Sequence, residues 1–540
     1  MTRTWRIPII ILVIGALVAA ASIEGSRSTD PSSMIRPESF MPTARSADAV
    51  GSTWYCAAGS ATGDDSGFAE QTVSIANSSD QEVTGRLTAY PDRGEQASTP
   101  VRIGPNSRQT IRVSDVVRSR WASALVELSG GEVSVAQFFD GPAGRATGAC
   151  ASAPASDWYF PAGSSRNGAR NIMALFNPFP GDATVDLTFD TDDGARTPQQ
   201  FQGLVLPGGR VTVVDIGNVV TLREHVSTIV RSRTGRVVAQ QIQTADGREG
   251  AQEGLTVTLG ASSVSPVWSF AVATPPDSEA REVIAVLNPG DVDTTVEVQV
   301  QVDDAEQVGS VEPYRLTVAA GRSATVDLMG DARIPRAAGR WIIVRSVDGV
   351  SVVAERSIGA KRTGESGGLT YTMGVPMLAT QWLATVGNPS WADTSTLAIS
   401  NPSANSEARV TVLVHGVGSA RELVDAVELS IAPGDRVLVD LSKALANRNE
   451  ASLSIQSDLP IVVGQLITTK GPVQLITPVV YPVAGTISVV GDVVDPQVSL
   501  VAVDELSTEQ EPSDASTTST AVSSSSSTSS SSSTTTPIGR

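Results

Sequence analysis

Short stretches in which apolar and polar residues alternate run through most of this chain, separated by turn residues. One window shows the full pattern. Trp158-Tyr159-Phe160 is followed by the apolar run Ile172-Met173-Ala174-Leu175-Phe176, which ends at Asn177-Pro178. Val185, Leu187 and Phe189 then alternate with polar neighbours, the period-two signature of a half-buried strand. Asp192-Asp193-Gly194 is a hairpin-type turn, and Pro207-Gly208 suits a tight turn because Pro presets φ and Gly accepts positive φ. Val211, Val213 and Val214 lead to Asp215, and Val/Ile-rich stretches at Thr228–Val230 and Val237–Gln240 precede Leu255–Leu259. Seven or eight short strands in about 110 residues, with hardly any helical periodicity, predict a β-sandwich of the immunoglobulin type.

The window recurs four times. Asn77-Ser78, Asn177-Pro178, Asn288-Pro289 and Asn401-Pro402 are followed by Asp115, Asp215, Asp327 and Asp440, at separations of 38, 38, 39 and 39 residues. Trp54, Trp158, Trp268 and Trp382 open the copies. Constant spacing means one unit copied in tandem. The expected architecture is all-β: four immunoglobulin-like repeats at 52–153, 154–264, 265–378 and 379–490. A β-propeller of eight four-stranded blades is the rival, but no repeat is seen at the half period that blades require. Tyr481-Pro482-Val483-Ala484-Gly485 compares with Trp158–Gly163 and is expected to pack on the fourth copy as a fifth opening segment.

The ends differ from the body. Arg3 and Arg6 precede an uncharged apolar run, Ile7–Ile23, with Ala19-Ala20-Ala21 as a small-residue cleavage site. Residues 1–24 therefore read as a signal peptide, or as a signal anchor, since the run is at the lower limit for a membrane-spanning helix. Either reading places the rest outside the cytoplasm, with membrane contact only through this segment. Residues 25–51 read as a Ser/Pro/Asp-rich linker, and 491–540 as a disordered Ser/Thr-rich tail, bare or O-glycosylated.

Acidic residues exceed basic ones by 57 to 39, a formal net charge of −18. This argues against nucleic acid and against charge-driven docking on anionic lipid. Cys56 and Cys150 flank the first copy alone and read as one disulfide in an oxidising compartment, closing a loop of about 95 residues.

Candidate chemistry is sparse. His225 and His415 stand alone at different places in their copies and are read as packing residues. Neither a zinc ligand set nor a phosphate loop or dinucleotide fingerprint is found, so no cofactor and no catalytic residue is expected. Asp190, Asp192 and Asp193 could offer hard oxygen ligands to calcium, although Asp and Gly belong in hairpin turns anyway. Residues shared by all four copies serve the fold. The Asn column fits Asx-type turns, the Asp column caps, and the four tryptophans the core. Trp391, in a Pro-Ser-Trp-Ala-Asp turn outside the repeat pattern, is a candidate for stacking on a sugar.

The leader, the Trp54-Tyr55-Cys56 opening, the four Asn turns and the Ser/Thr tail together resemble an uncharacterised family of exported actinobacterial proteins, over about residues 50–490. The resemblance is structural and carries over no site. In pattern the repeats also resemble β-sandwich modules of bacterial surface adhesins. The expected function is that of an exported, non-enzymatic envelope protein, a scaffold or adhesion spacer contacting an envelope protein. The alternative is a carbohydrate-binding or carbohydrate-processing surface protein contacting cell-wall glycan.

Overall fold

Each copy folds the alternating stretches into antiparallel strands whose apolar faces meet between two sheets. A computed structural model describes residues 41–64, 66–248, 253–272, 281–303, 311–334, 339–360, 368–416, 420–423, 428–469 and 474–489. The leader 1–24, the start of the linker and the tail 491–540 lie outside the described residues.

The first copy comprises β1 (Gly51–Ala61), β2 (Glu70–Asn77), β3 (Val83–Pro91), β4 (Ala97–Ile103), β5 (Ser107–Arg112), β6 (Ser119–Ser129), β7 (Val133–Gly141) and β8 (Gly144–Ala149). One sheet runs β4-β3-β6-β1 and the other β5-β2-β7-β8. Trp54 lies opposite Val126, which lies opposite Leu87, so this row faces the core.

The second copy is β9 (Asp157–Phe160), β10 (Ala169–Asn177), β11 (Ala183–Thr191), β12 (Gly194–Arg196), β13 (Leu204–Leu206), β14 (Arg210–Asp215), β15 (Val226–Thr234), β16 (Val238–Asp246) and β17 (Glu253–Leu259). Its sheets are β12-β11-β15-β9 and β14-β10-β16-β17. The third is β18 (Val267–Phe270), β19 (Arg281–Leu287), β20 (Thr294–Val302), β21 (Tyr314–Val318), β22 (Ser323–Asp327), β23 (Arg340–Ser346), β24 (Val353–Ala360) and β25 (Gly368–Met373). Its sheets are β21-β20-β23-β18 and β22-β19-β24-β25.

In the fourth copy, β26 (Met377–Ala384), β27 (Ala392–Ser400), β28 (Ala408–His415), β29 (Arg421–Glu422), β30 (Leu429–Ile431) and β31 (Arg436–Asp440) precede α1 (Leu441–Ala444). Then come β32 (Ser452–Thr469), β33 (Leu475–Ile476), β34 (Val480–Pro482) and β35 (Ile487–Val489). Here β32 does the work of both β6 and β7. Its first half pairs with β26 and β28, its second with β27 and β33.

This shows where the path departs from the expected immunoglobulin arrangement, in which the strands corresponding to β6 and β7 are neighbours in one sheet. Here β6 and β7, β15 and β16, and β23 and β24 lie in different sheets, and in the fourth copy the pair is the one continuous strand β32. The pairing also differs from a propeller blade in which one meander makes one sheet: strands of the two sheets interleave along the chain.

The copies are not strung end to end. Tyr90 of the first packs on Phe176 of the second, with ring centroids 5.2 Å apart. The second meets the third where Asp190 accepts from Arg322 and where Tyr371 donates its backbone N–H to Thr256 Oγ1 at 2.9 Å. The third meets the fourth through an apolar cluster of Val272, Ile358, Ala398 and Val462. The fourth then meets the first. Tyr481 lies 5.0 Å from Trp54 in edge-on geometry and donates its hydroxyl to the Val135 carbonyl. His415 and Gly416 both bond Asn106. The described residues between 41 and 489 thus close into a ring around an apolar central cavity of about 100 Å³.

Two expectations are corrected at the closure. Residues 41–50, assigned to the linker by composition, are built into the fold: Ala44 is fully buried and bridges Val483. Tyr481 is not a fifth opening aromatic. It pairs with Leu383 as Ala151 pairs with Tyr55, Ala261 with Tyr159 and Val375 with Ser269, so it closes the fourth copy. Its backbone does pack on the fourth copy, through β34 and β26, but its ring enters the core of the first.

Candidate functional site

The shared columns are structural. In every copy the Asn is fully buried, its Oδ1 accepts from the N–H two residues on, and its Nδ2 donates to carbonyls of the facing loop. That is an Asx turn closing a strand end. Asp440 accepts from Ser442 and Lys443 N–H at the start of α1, while Asp215 instead pairs with Arg170 at 2.9 Å. The four opening tryptophans are buried in the sandwich cores. Cys56 and Cys150 form the disulfide, both fully buried, beside the Tyr481 closure. Such a bond belongs to an oxidising, extracytoplasmic setting.

The calcium candidates are not gathered into one site. Asp190 accepts from Arg322 and from Ser323 N–H and Oγ across the junction between copies, and Asp193 pairs with Arg196 and Arg223. Among the described residues no group of three or more metal-binding side chains is present. His225 bonds Ser227 and Ser323, and burial lowers its pKa. His415, between Asn106 and Ser454, is pushed down to about 4 by burial.

Trp391 lies at a junction. Its turn, closed by the Ala392 N–H to the Pro389 carbonyl, leads into β27 and projects over the outer face of β2, β5 and β7 in the first copy. The cleft between them holds about 270 Å³. Trp391 and Phe138 face each other across it, 6.4 Å apart and steeply inclined, both half-buried. The Arg145 guanidinium sits 6.0 Å from the Trp391 ring and pairs with Asp140 at 2.9 Å. Arg108 donates to Glu450 Oε2 and the Asn449 carbonyl. Three buried polar atoms in the lining, Glu70 Oε1, Ser74 Oγ and Arg108 Nε, have no hydrogen-bond partner among the described residues. A second cleft of about 320 Å³ occupies the matching junction between the second and third copies. It is lined by Glu224, His225 and Arg281 and has no tryptophan.

Of the sequence candidates, only Trp391 lines a cleft of this aromatic kind. Its partners Phe138, Arg108 and Arg145 belong to another copy, and nothing in the linear pattern joins them to it.

Among the described residues no helix is long and apolar enough to cross a membrane. A profile described as a "Family of unknown function (DUF5719)" matches residues 139–333, from the end of the first copy into the third. No curated protein matches the chain. A solved structure titled Thermotoga maritima 1070 is similar at 18% identity over 21% of this chain and 93% of that one, with a TM-score of 0.18. A tetra-tandem repeat from the extending region of a large adhesion protein is similar at 11% identity, over 77% of this chain and 95% of that one, with a TM-score of 0.09. Over its matched stretch, then, the chain is similar to a family whose molecular activity is unknown.

Proposed function

We propose that this is an exported, non-enzymatic envelope protein that binds carbohydrate in the cleft between its fourth and first copies. The observation that carries the reading is the pair of half-exposed rings, Trp391 and Phe138, walling a cleft with two arginines and three unsatisfied polar atoms. An aromatic face takes the apolar face of a sugar, and convergent polar groups fix its hydroxyls. Asp140 and Glu450 are each engaged by an arginine, and the cleft is read as a binding site. Export rests on the leader pattern and on the disulfide. The alternative role of a linear spacer needs modules in a row, whereas closure of the fourth copy on the first shortens the span the chain can bridge. A scaffold in the form of a compact ring remains compatible with glycan binding, and we read its units as one immunoglobulin-like sandwich in four tandem copies with an altered path.

Calorimetric titration of the full-length chain with soluble cell-wall glycan fragments tests the proposal. Trp391→Ala is expected to weaken binding about tenfold or more while leaving the melting temperature within about 2 °C. Failure of the unaltered chain to bind any fragment, or equal binding by Trp391→Ala, would overturn it.

A further inference from the structure

The third copy carries a cluster that its siblings lack. Glu282, Arg340 and Arg356 have side-chain exposures of 0%, 1% and 1%. Arg340 takes Glu282 at 2.6 Å through Nη2 and at 3.2 Å through Nε. Arg356 reaches the same carboxylate only at 3.6 Å, beyond hydrogen-bond length. Its Nε and Nη1 have no hydrogen-bond partner among the described residues.

Arg436 and Glu355 stand nearby. Arg436 is matched by Asp303 at 2.6 Å and by the Ala271 carbonyl. Glu355, the next residue along, is wholly buried, and burial raises its pKa to about 8, so it is mostly neutral at pH 7. Arg340 and Arg356 thus share the Glu282 carboxylate in the interior, and Arg356 keeps two N–H-bearing nitrogens with no hydrogen-bond partner among the described residues. Burial lowers the Arg356 pKa only to about 10, which keeps it charged. A buried cation with open donors is costly, and one that persists calls for a partner. The fold itself does not ask for it: Gln137, Gln241 and Gln465 stand at this position in the other copies.

Arg356 lines the central cavity. Its guanidinium lies 5.4 Å from the Phe270 ring, and Trp268, Val272, Met373, Val375 and Val480 form much of the remaining wall. At about 100 Å³ the space suits a group of roughly benzene size.

We propose that the central cavity binds a small apolar monocarboxylate, short-chain or aromatic, with its carboxylate on Arg356 and its apolar part against Phe270, Trp268 and Met373. This site is independent of the glycan cleft, so either can fail without the other.

The test is titration of the full-length chain with benzoate and hexanoate, against benzyl alcohol as the uncharged counterpart and chloride as the bare anion, followed by NMR and thermal shift. Both carboxylates are expected to bind and to raise the melting temperature. Benzyl alcohol should bind at least about tenfold more weakly, because it cannot accept a charge-assisted pair. Arg356→Met should lose carboxylate binding by a similar factor while melting no lower than the parent. Arg356→Lys, which keeps the charge but loses the fork, should bind about tenfold more weakly and covers the case in which the Met variant fails to fold. No binding of either carboxylate, undiminished binding by both variants, or saturation by chloride alone would overturn the assignment.

Discussion

The second and third copies place very different side chains on one backbone plan. Six residues before the turn Asn stands Asn171 in one and Glu282 in the other. Gln240-Gln241 in β16 corresponds to Glu355-Arg356 in β24, and Val226 in β15 to Arg340 in β23. In the second copy, Gln241 Nε2 donates to Asn171 Oδ1 at 3.1 Å, a neutral pair of buried amides. In the third, the same two positions hold an ion pair, with a second arginine added where Val226 fills a core. Strand pairing is indifferent to the change, because the backbone ladder satisfies itself whatever the side chains carry. Stability is not indifferent. Charges are taken out of water in one copy and not in the other, and such an arrangement is more readily explained by a ligand or by specificity than by stabilisation.

The sharpest way to break this comparison is to remove the shared carboxylate. Glu282→Gln takes from Arg340 and Arg356 the carboxylate they share, and the expected loss is about 3–5 kcal/mol in urea denaturation. The corresponding Asn171→Ala should cost about 1–2 kcal/mol, the worth of a neutral buried hydrogen bond and its stranded partner. Equal losses at the two sites would mean that charge is not what distinguishes the copies.

The next effect is read against pH. Gln240 Nε2 donates to the Ala58 carbonyl, while Glu355 Oε2 accepts from the Ala162 N–H at 2.9 Å. The glutamate thus occupies a glutamine's position as its neutral isostere, with its pKa raised from 4.5 to about 8 by burial. A folded-state pKa above the unfolded one contributes stability that is complete below pH 4.5. Stability then falls as pH rises toward 8, at no more than about 1.4 kcal/mol per pH unit, and levels off above that. Glu355→Gln should abolish this slope and stabilise the protein at pH 7 by on the order of 2–3 kcal/mol. Parallel stability profiles for the parent and the variant between pH 5 and 9 would remove the account. At the acid end, His415 has the opposite sign: its pKa is depressed to about 4, so its contribution is lost as pH falls from about 6.5 toward 4.

Much of the fold was legible in the chain because it is local. The Asn columns announce Asx turns, alternating Val runs announce half-buried strands, and two cysteines flanking one copy announce a bridge. Ring closure was not legible, because repeat spacing describes each unit and says nothing about the face it turns to its neighbour. Tyr481 illustrates this: its aromatic character suggested another opening segment, whereas its register is that of Ala151 and its ring belongs to the first copy. Asp190 looked like a calcium ligand only until the third copy supplied Arg322 and Ser323. Trp391 was visible as a departure from the pattern, and its cleft was not, since Phe138 and Arg108 lie more than two hundred residues away. The Arg356 cluster carried the same kind of signal. A Gln column broken by Arg356, and an apolar column broken by Arg340, were legible departures, but attention to what the copies share passes over where they differ.

The smallest expected effect tests whether these positions are as interchangeable as the comparison holds. In the fourth copy Ser395 and Gln465 occupy the places of Asn171 and Gln241, and Gln465 Nε2 donates to Ser395 Oγ at 3.1 Å. Transplanting the difference by Asn171→Ser exchanges an amide for a small hydroxyl opposite the same glutamine. The hydroxyl still offers Gln241 an acceptor, as Ser395 does Gln465, so neither partner is stranded. The urea midpoint should move by no more than the equivalent of about 1 kcal/mol. A loss above about 3 kcal/mol would show that the amide pair is required where it stands, and that the interiors of the copies are matched to their own junctions rather than to the sandwich plan.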